Sequence, residues 1–281
     1  MRFILIIIAI YSFFLSDGIA KDPKRHVSIN TMPEFSQVKP GGNLRIAIEF
    51  KIEKGWNIYW VNPGDAGMAT SIEWILPEII DSKRVYTQFP IPKRTISGEI
   101  GDYIYEGKAV IVTTIPIPAN VPIGTELNLK GRIDFLQCHE ICIPGNADVE
   151  VKVTVGNESK LISKNRNAIL SALKNMPCLA EDWKVSYNFV DSNFVLSISR
   201  PDGTLPKFNK LVFMPKTEGQ ICNWGKQTLA VVGNKYQLSI PLDKMRSGRP
   251  DSIFGIIVAD KPWDKKGTRA LMFGYATVYT E

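Results

Sequence analysis

Two of the four cysteines stand close enough in sequence to act as a unit: Cys138 and Cys142, separated by His139-Glu140-Ile141. Thiols at this spacing can form a disulfide, exchange it with another protein's thiols, or ligate a soft metal ion. Along an extended strand, Cα atoms four residues apart lie ~13 Å from one another, whereas a disulfide needs ~4.4–6.8 Å. If the two pair, the strand through Phe135 is therefore expected to bend sharply at Gln137. Ile143-Pro144-Gly145, immediately beyond, is turn chemistry. The chain-entropy model assigns a five-residue loop ~2 kcal/mol, against ~4 kcal/mol for the 45 residues between and including Cys178 and Cys222. Short, loop-exposed bridges also tend to be the reducible ones. The expectation is a redox pair at Cys138 and Cys142 and a structural disulfide between Cys178 and Cys222.

Other chemistries fit the Cys-His-Glu-Ile-Cys run less well. A haem attachment site needs its histidine after the second cysteine, and the thioredoxin motif spaces its cysteines by two residues inside a βαβ pattern. Zinc needs four ligands, and Cys138, Cys142 and His139 supply three. Copper(I) accepts two thiolates, so a copper site at Cys138 and Cys142 stands as an alternative. On spacing alone an inert surface disulfide is about as well supported as a redox one. His139 is either a solvated loop residue or, beside Cys138, an imidazolium that favours a thiolate. With His26 as the one other histidine, a His-rich metal site or a His-based triad has little to draw on.

The elements that must position these residues read as β-structure. In Leu44-Arg45-Ile46-Ala47-Ile48-Glu49-Phe50-Lys51-Ile52 every apolar side chain but Ala47 falls on one face, the period of two of a half-buried strand. The alternation recurs at Leu127, Leu129, Ile133 and Phe135, and at Val149, Val151, Val153 and Val155. Turns such as Asn62-Pro63-Gly64-Asp65 and Pro122-Ile123-Gly124 lie between. One stretch departs: from Asn157, a candidate N-cap, to Met176 the apolar residues follow helical spacing, with Pro177 beyond. Trp183, Val185, Tyr187 and Phe189 then alternate again, Gly233-Asn234 makes a hairpin turn, and Ile253 to Ala259 reads as a buried strand. The fold class is all-β: two immunoglobulin-like antiparallel sandwiches, residues 21–156 and 181–281, joined by a helical linker over 157–180. Trp56, Trp60 and Trp74 read as core or sheet-face aromatics, and Asp65 as turn chemistry.

Residues 1–20 read as an export signal. Arg2 is followed by 13 mostly apolar residues, Phe3 to Leu15, and then by Gly18 and Ala20 before a cleavage point. That run is short of the roughly 20 residues needed to span a bilayer. The mature chain is expected to begin near Lys21, without stable membrane insertion, in an oxidising exported compartment where disulfides persist. Of the 281 residues, 44% are apolar and 22% charged, the composition of a globular protein. The net charge of +6 is spread with no run of five like charges, which argues against nucleic acid as a partner.

An ordered series of motifs carries a resemblance. It comprises Gly55-Trp56-Asn57-Ile58-Tyr59-Trp60-Val61-Asn62-Pro63-Gly64-Asp65-Ala66-Gly67, Ile72-Glu73-Trp74, Tyr105-Glu106-Gly107, and Asp134-Phe135-Leu136-Gln137-Cys138-His139-Glu140-Ile141-Cys142-Ile143-Pro144-Gly145. Over residues 35 to 155 the chain resembles the periplasmic N-terminal domain of the DsbD/ScsB family of thiol:disulfide interchange proteins, the ScsB-like branch in particular. The resemblance implies an immunoglobulin-like sandwich whose cysteine pair relays electrons in the periplasm. By the same resemblance Cys142 forms the mixed disulfide, Cys138 resolves it, and Tyr59 matches a tyrosine near the site. Two departures stand out. The best-known branch spaces its cysteines two residues further apart, and its aromatic cap loop has no counterpart between Thr95 and Tyr103. Family members usually carry a membrane electron conduit and a thioredoxin-like domain in the same chain. This sequence contains neither, so thioredoxin-like periplasmic proteins and a separate membrane conduit are the expected partners. Exchange of this kind needs no organic cofactor, and none is expected. The competing reading is a non-enzymatic β-sandwich that binds a partner protein, with both disulfides structural.

Overall fold

The computed structural model describes residues 25–179, 181–244 and 253–274; the expected export signal lies outside them. The first half begins with strands β1 (Val27–Pro33), β2 (Phe35–Val38), β3 (Asn43–Ile52) and β4 (Asn57–Gly64). Next come β5 (Ser71–Ile75), β6 (Tyr86–Gln88), β7 (Lys93–Ser97) and β8 (Ile100–Glu106). β9 (Lys108–Pro116), β10 (Glu126–Cys138), β11 (Cys142–Val155) and β12 (Lys160–Leu161) complete it. They form two layers, β1-β3-β9-β6 and β12-β2-β11-β10-β4-β8-β7, with β5 added to β10. Between the layers Ile48, Phe50 and Ile111 meet Ile58, Tyr105, Ile133 and Phe135. Farther along, Leu44, Ile46 and Ile115 meet Leu127, Leu129, Val151 and Val153. Each such side chain, taken fully out of water, contributes ~1.5–3 kcal/mol, so the alternation seen in sequence fixes which face of each strand turns inward.

Ala47 lies, as its place in the alternation requires, on the opposite face of β3, and that face is also buried. The helix α1 (Ser163–Leu173) packs there, with Ile169, Ala172 and the following Met176 set against Met32, Ala47 and Val112. A small residue at position 47 leaves room for it. The helix is shorter than the 157–176 expected, because Lys160 and Leu161 pair with β2 instead. Its N-cap is Ile162, without a side-chain bond, rather than Asn157. It is not a bare linker. The Ile162 amide donates to the Glu34 carbonyl. Arg166 and Arg45 also donate to the buried Glu34 carboxylate, at 2.8 and 3.4 Å.

The second half is another sandwich. Its strands are β13 (Cys178–Leu179), β14 (Lys184–Val190), β15 (Asn193–Ser199) and β16 (Leu211–Pro215), then β17 (Thr228–Val232), β18 (Lys235–Pro241), β19 (Gly255–Ala259) and β20 (Ala270–Phe273). The layers β13-β20-β19-β16 and β14-β15-β18-β17 enclose Phe194, Leu196, Ile198, Phe213, Leu238, Ile240 and Ile257. β17 and β18 join at Gly233-Asn234, the expected hairpin turn. Met214, Ile256 and Ala270, on the outer face of the first of these layers, belong to the same apolar cluster as Trp60 and Tyr103 of the first sandwich. The near-continuous apolar runs of β16 and β19 follow from burial on both faces. At the junction Gly101 lies so close to the second sandwich that a Cβ there would stand 2.4 Å from the Asn223 carbonyl carbon.

Candidate functional site

Cys138 ends β10 and Cys142 begins β11, directly opposite each other in the register of that hairpin. A disulfide joins them, with Cα atoms 4.2 Å apart. The chain reverses over His139, Glu140 and Ile141, where the His139 amide donates to the Ile141 carbonyl. The expected bend at Gln137 is therefore absent. β10 runs on in register through Gln137, and a tight three-residue reversal brings the two cysteines face to face.

The two sulfur-bearing residues sit in opposite surroundings. Cys142 is exposed, whereas Cys138 is 3% exposed and packs with Tyr59, Ile104 and Leu136. β4 brings Tyr59 there, pairing Asn57 with Cys138, and β8 brings Ile104. Tyr59, expected near the site, is fully on it. Burial raises its phenol above the usual range, and the Asp102 carboxylate adds to the shift. The residues after β4 wrap its ring. Thr70 Oγ1 donates to the Tyr59 carbonyl at 2.6 Å, and a Cβ on Gly67 would lie 2.3 Å from Tyr59 Cζ.

On the hairpin's other flank His139 is exposed, its ring 5.9 Å from that of Trp56. Trp56 in turn stacks on His26 at 3.6 Å, and His26 Nδ1 lies 2.7 Å from a Glu53 carboxylate oxygen. The His26 amide donates to the side-chain carbonyl of buried Gln137, at 2.9 Å. Both histidines thus meet around one tryptophan beside the disulfide. The sequence reads Trp56 as a core or sheet-face aromatic and Gln137 as the point of a bend, and it gives His26 no place at the site. The available signal was Gln137's position next to Cys138.

Two expectations need correction. Cys178 and Cys222 are not bridged; both are free thiols. Cys178 lies exposed on β13, at the edge of one layer, with its sulfur 3.8 Å from the Met176 carbonyl. Cys222 is half-buried beyond β16, and its amide donates to Pro241 at the end of β18, in the other layer. Loop length ranked this pair as a staple without saying where its ends fall. Asn62-Pro63-Gly64-Asp65, expected as a simple turn, is a junction between the sandwiches. Asn62 is fully buried and donates to the Pro215 carbonyl at 2.7 Å, while Asp65 accepts from Asn223 Nδ2 at 2.7 Å and from the Gly101 amide at 2.7 Å.

Among the described residues no three His, Cys, Asp or Glu side chains gather in a metal-binding arrangement. While the disulfide is closed, Cys138 and Cys142 offer copper(I) no thiolate. Among the described residues no helix is long and apolar enough to cross a membrane.

Residues 29–154 match the family model of the N-terminal domain of the thiol:disulfide interchange protein DsbD. No curated protein sequence matches the chain. Among solved structures, the N-terminal periplasmic domain of ScsB from Proteus mirabilis superposes with a TM-score of 0.63 at 16% identity, covering 89% of this chain and 93% of that one. Its fold therefore spans both sandwiches. The reduced N-terminal domain of Neisseria meningitidis DsbD matches 47% of this chain and 89% of its own, at 14% identity and a TM-score of 0.26.

Proposed function

Because residues 29–154 match the family model of the DsbD N-terminal domain, we propose that this protein exchanges dithiol for disulfide with thioredoxin-like proteins through Cys138 and Cys142. The observation that carries the reading is the asymmetry at the hairpin tip, with one sulfur-bearing residue exposed and the other covered by Tyr59 and Ile104. In the reduced protein the Cys142 thiolate attacks one sulfur of a partner disulfide. A bond forms between Cys142 and that sulfur, and the partner's second sulfur leaves as a thiolate. Cys138, deprotonated, then attacks Cys142 Sγ and releases the partner's remaining thiol. Two electrons and two protons have passed to the partner, and the Cys138–Cys142 disulfide is restored. Run backwards from the closed disulfide, the same steps oxidise a partner dithiol at the exposed Cys142. An exported location, the periplasm, suits a pair that cycles in this way, and a separate membrane electron conduit is the source of reducing equivalents the reading calls for.

Trapping tests the reading. Cys138→Ser leaves the attacking thiol without its resolving partner, so a mixed disulfide to an oxidised thioredoxin-like protein should accumulate. Cys142→Ser should capture far less. Equal behaviour of the two variants, with no covalent partner and a potential below about −300 mV, would instead make the bridge structural and the protein a binding module.

A further inference from the structure

We propose that Asn223, in the second sandwich, is a positioning residue for the redox pair, holding the cover over Cys138 in place; this rests on the exchange proposed above. Asn223 is 2% exposed and lies between β16 and β17, outside the domain that carries the cysteines. Its side chain makes two bonds into the first sandwich. Nδ2 donates to Asp65 Oδ1 at 2.7 Å, and Oδ1 accepts from the Tyr103 hydroxyl at 2.9 Å. Its backbone carbonyl accepts from Arg94 Nε at 2.8 Å, and Arg94 Nη2 reaches the Gly225 carbonyl at 2.8 Å.

Both side-chain bonds lead to Cys138. Asp65 anchors the segment in which Ala66 is bound to Asp102 Oδ1 and Gly67 lies against the Tyr59 ring. Tyr103 precedes Ile104 on β8. Tyr59 and Ile104 are the buried residues that pack on Cys138. One amide thus ties together the two elements that keep water from this sulfur. A thiolate is disfavoured in apolar surroundings. While the cover is held, Cys138 stays a poor nucleophile and the exposed Cys142 is the one that attacks. The second sandwich thereby sets which cysteine engages a partner.

The test uses the full mature chain with Cys142→Ser, so that the Cys138 thiol is free. Its alkylation by iodoacetamide is followed against pH, with each cysteine resolved by peptide mass. Adding Asn223→Ala should let water reach Cys138. The midpoint of its pH profile should fall by about half a unit, raising the thiolate fraction at neutral pH about threefold. Tyr103→Phe deletes a single hydroxyl without opening a cavity, and should shift the midpoint in the same direction by less. It decides the matter alone if Asn223→Ala does not fold. Thermal unfolding is measured on the same samples. A lowered Tm with an unmoved Cys138 profile would overturn the proposal, leaving Asn223 a bond between domains and nothing more. The readout needs no partner protein, so failed trapping by Cys138→Ser would count against the exchange reading without touching the link from Asn223 to Cys138.

Discussion

Gly67→Ala perturbs the cover directly, and its cost can be worked out from two separate sources. Gly67 has φ +93°, a region that L side chains rarely adopt, for which about 1–2 kcal/mol is expected. The added methyl would also stand 2.3, 2.4 and 2.7 Å from three carbons of the Tyr59 ring, so the ring must move. Overpacking of a filled site costs a further ~1–3 kcal/mol, for a total of about 2–5 kcal/mol. Gly98 isolates the first part: its φ is +59° and a Cβ there meets nothing within 4 Å, so Gly98→Ala should lose only about 1–2 kcal/mol. Equilibrium urea unfolding of both variants measures the difference. A second arm removes the ring: in a Tyr59→Ala background the clash disappears, and Gly67→Ala should cost no more than Gly98→Ala. If Gly67→Ala is as mild as Gly98→Ala with Tyr59 in place, the segment does not press on the ring and the argument for a held cover fails.

Two further outcomes follow from the same structure. In the oxidised protein, without reductant, mass mapping should find Cys178 and Cys222 both open to alkylation; Cys222 should react more slowly, because burial raises its thiol above the ordinary range. A bridged 178–222 peptide would contradict the structure. Glu49 should contribute to acid stability: its hydrogen bond from Lys108 holds its carboxyl below the usual 4.5, so its contribution is complete above that value and is lost as the pH falls through the depressed folded one. Replacing it by Gln should flatten the acid limb of the stability profile, and an unchanged limb would show that the pair is fully screened.

Much of the fold is legible because period-two alternation reports one buried face per strand, and β3, β10 and β11 each show it. What alternation cannot report is a second buried face. Ala47 reads as the odd residue of its strand until α1 is seen lying on it, and the apolar runs of β16 and β19 do not say that a whole domain covers them. The helix ends where it does because Lys160 and Leu161 find a strand partner in β2, far off in sequence, and that competes with local propensity. The candidate site divides along the same line. The cysteine pair was visible through its spacing, and Tyr59 through its motif. The ring stack of His26 on Trp56 and the bonds of Asn223 join residues with no common pattern, and only the docking of distant segments brings them together.

The hairpin that carries the disulfide is built so that the bond can open at little cost to the fold. All 13 residues of β10 pair with β11, and Cys138 and Cys142 are the last pair at the tip. The hairpin is anchored elsewhere, by Leu127, Leu129, Ile133 and Phe135 packed between the layers. A five-residue loop constrains the unfolded chain by only ~2 kcal/mol, comparable to one of those buried side chains. A structural staple would serve better across a long loop, yet the cysteines available for one within the second sandwich, Cys178 and Cys222, are unpaired, and that sandwich is held by its apolar core of Phe194, Leu196, Phe213, Leu238 and Ile257 instead. The disulfide thus sits where its loss costs the fold little and where its outer residue, Cys142, is exposed. Proposed exchange requires both: a bond that is made and broken in each cycle must not carry the fold, and the residue that resolves it must remain in register when the bond is gone. β10, continuous to its last residue and covered there by Tyr59, keeps Cys138 in that position.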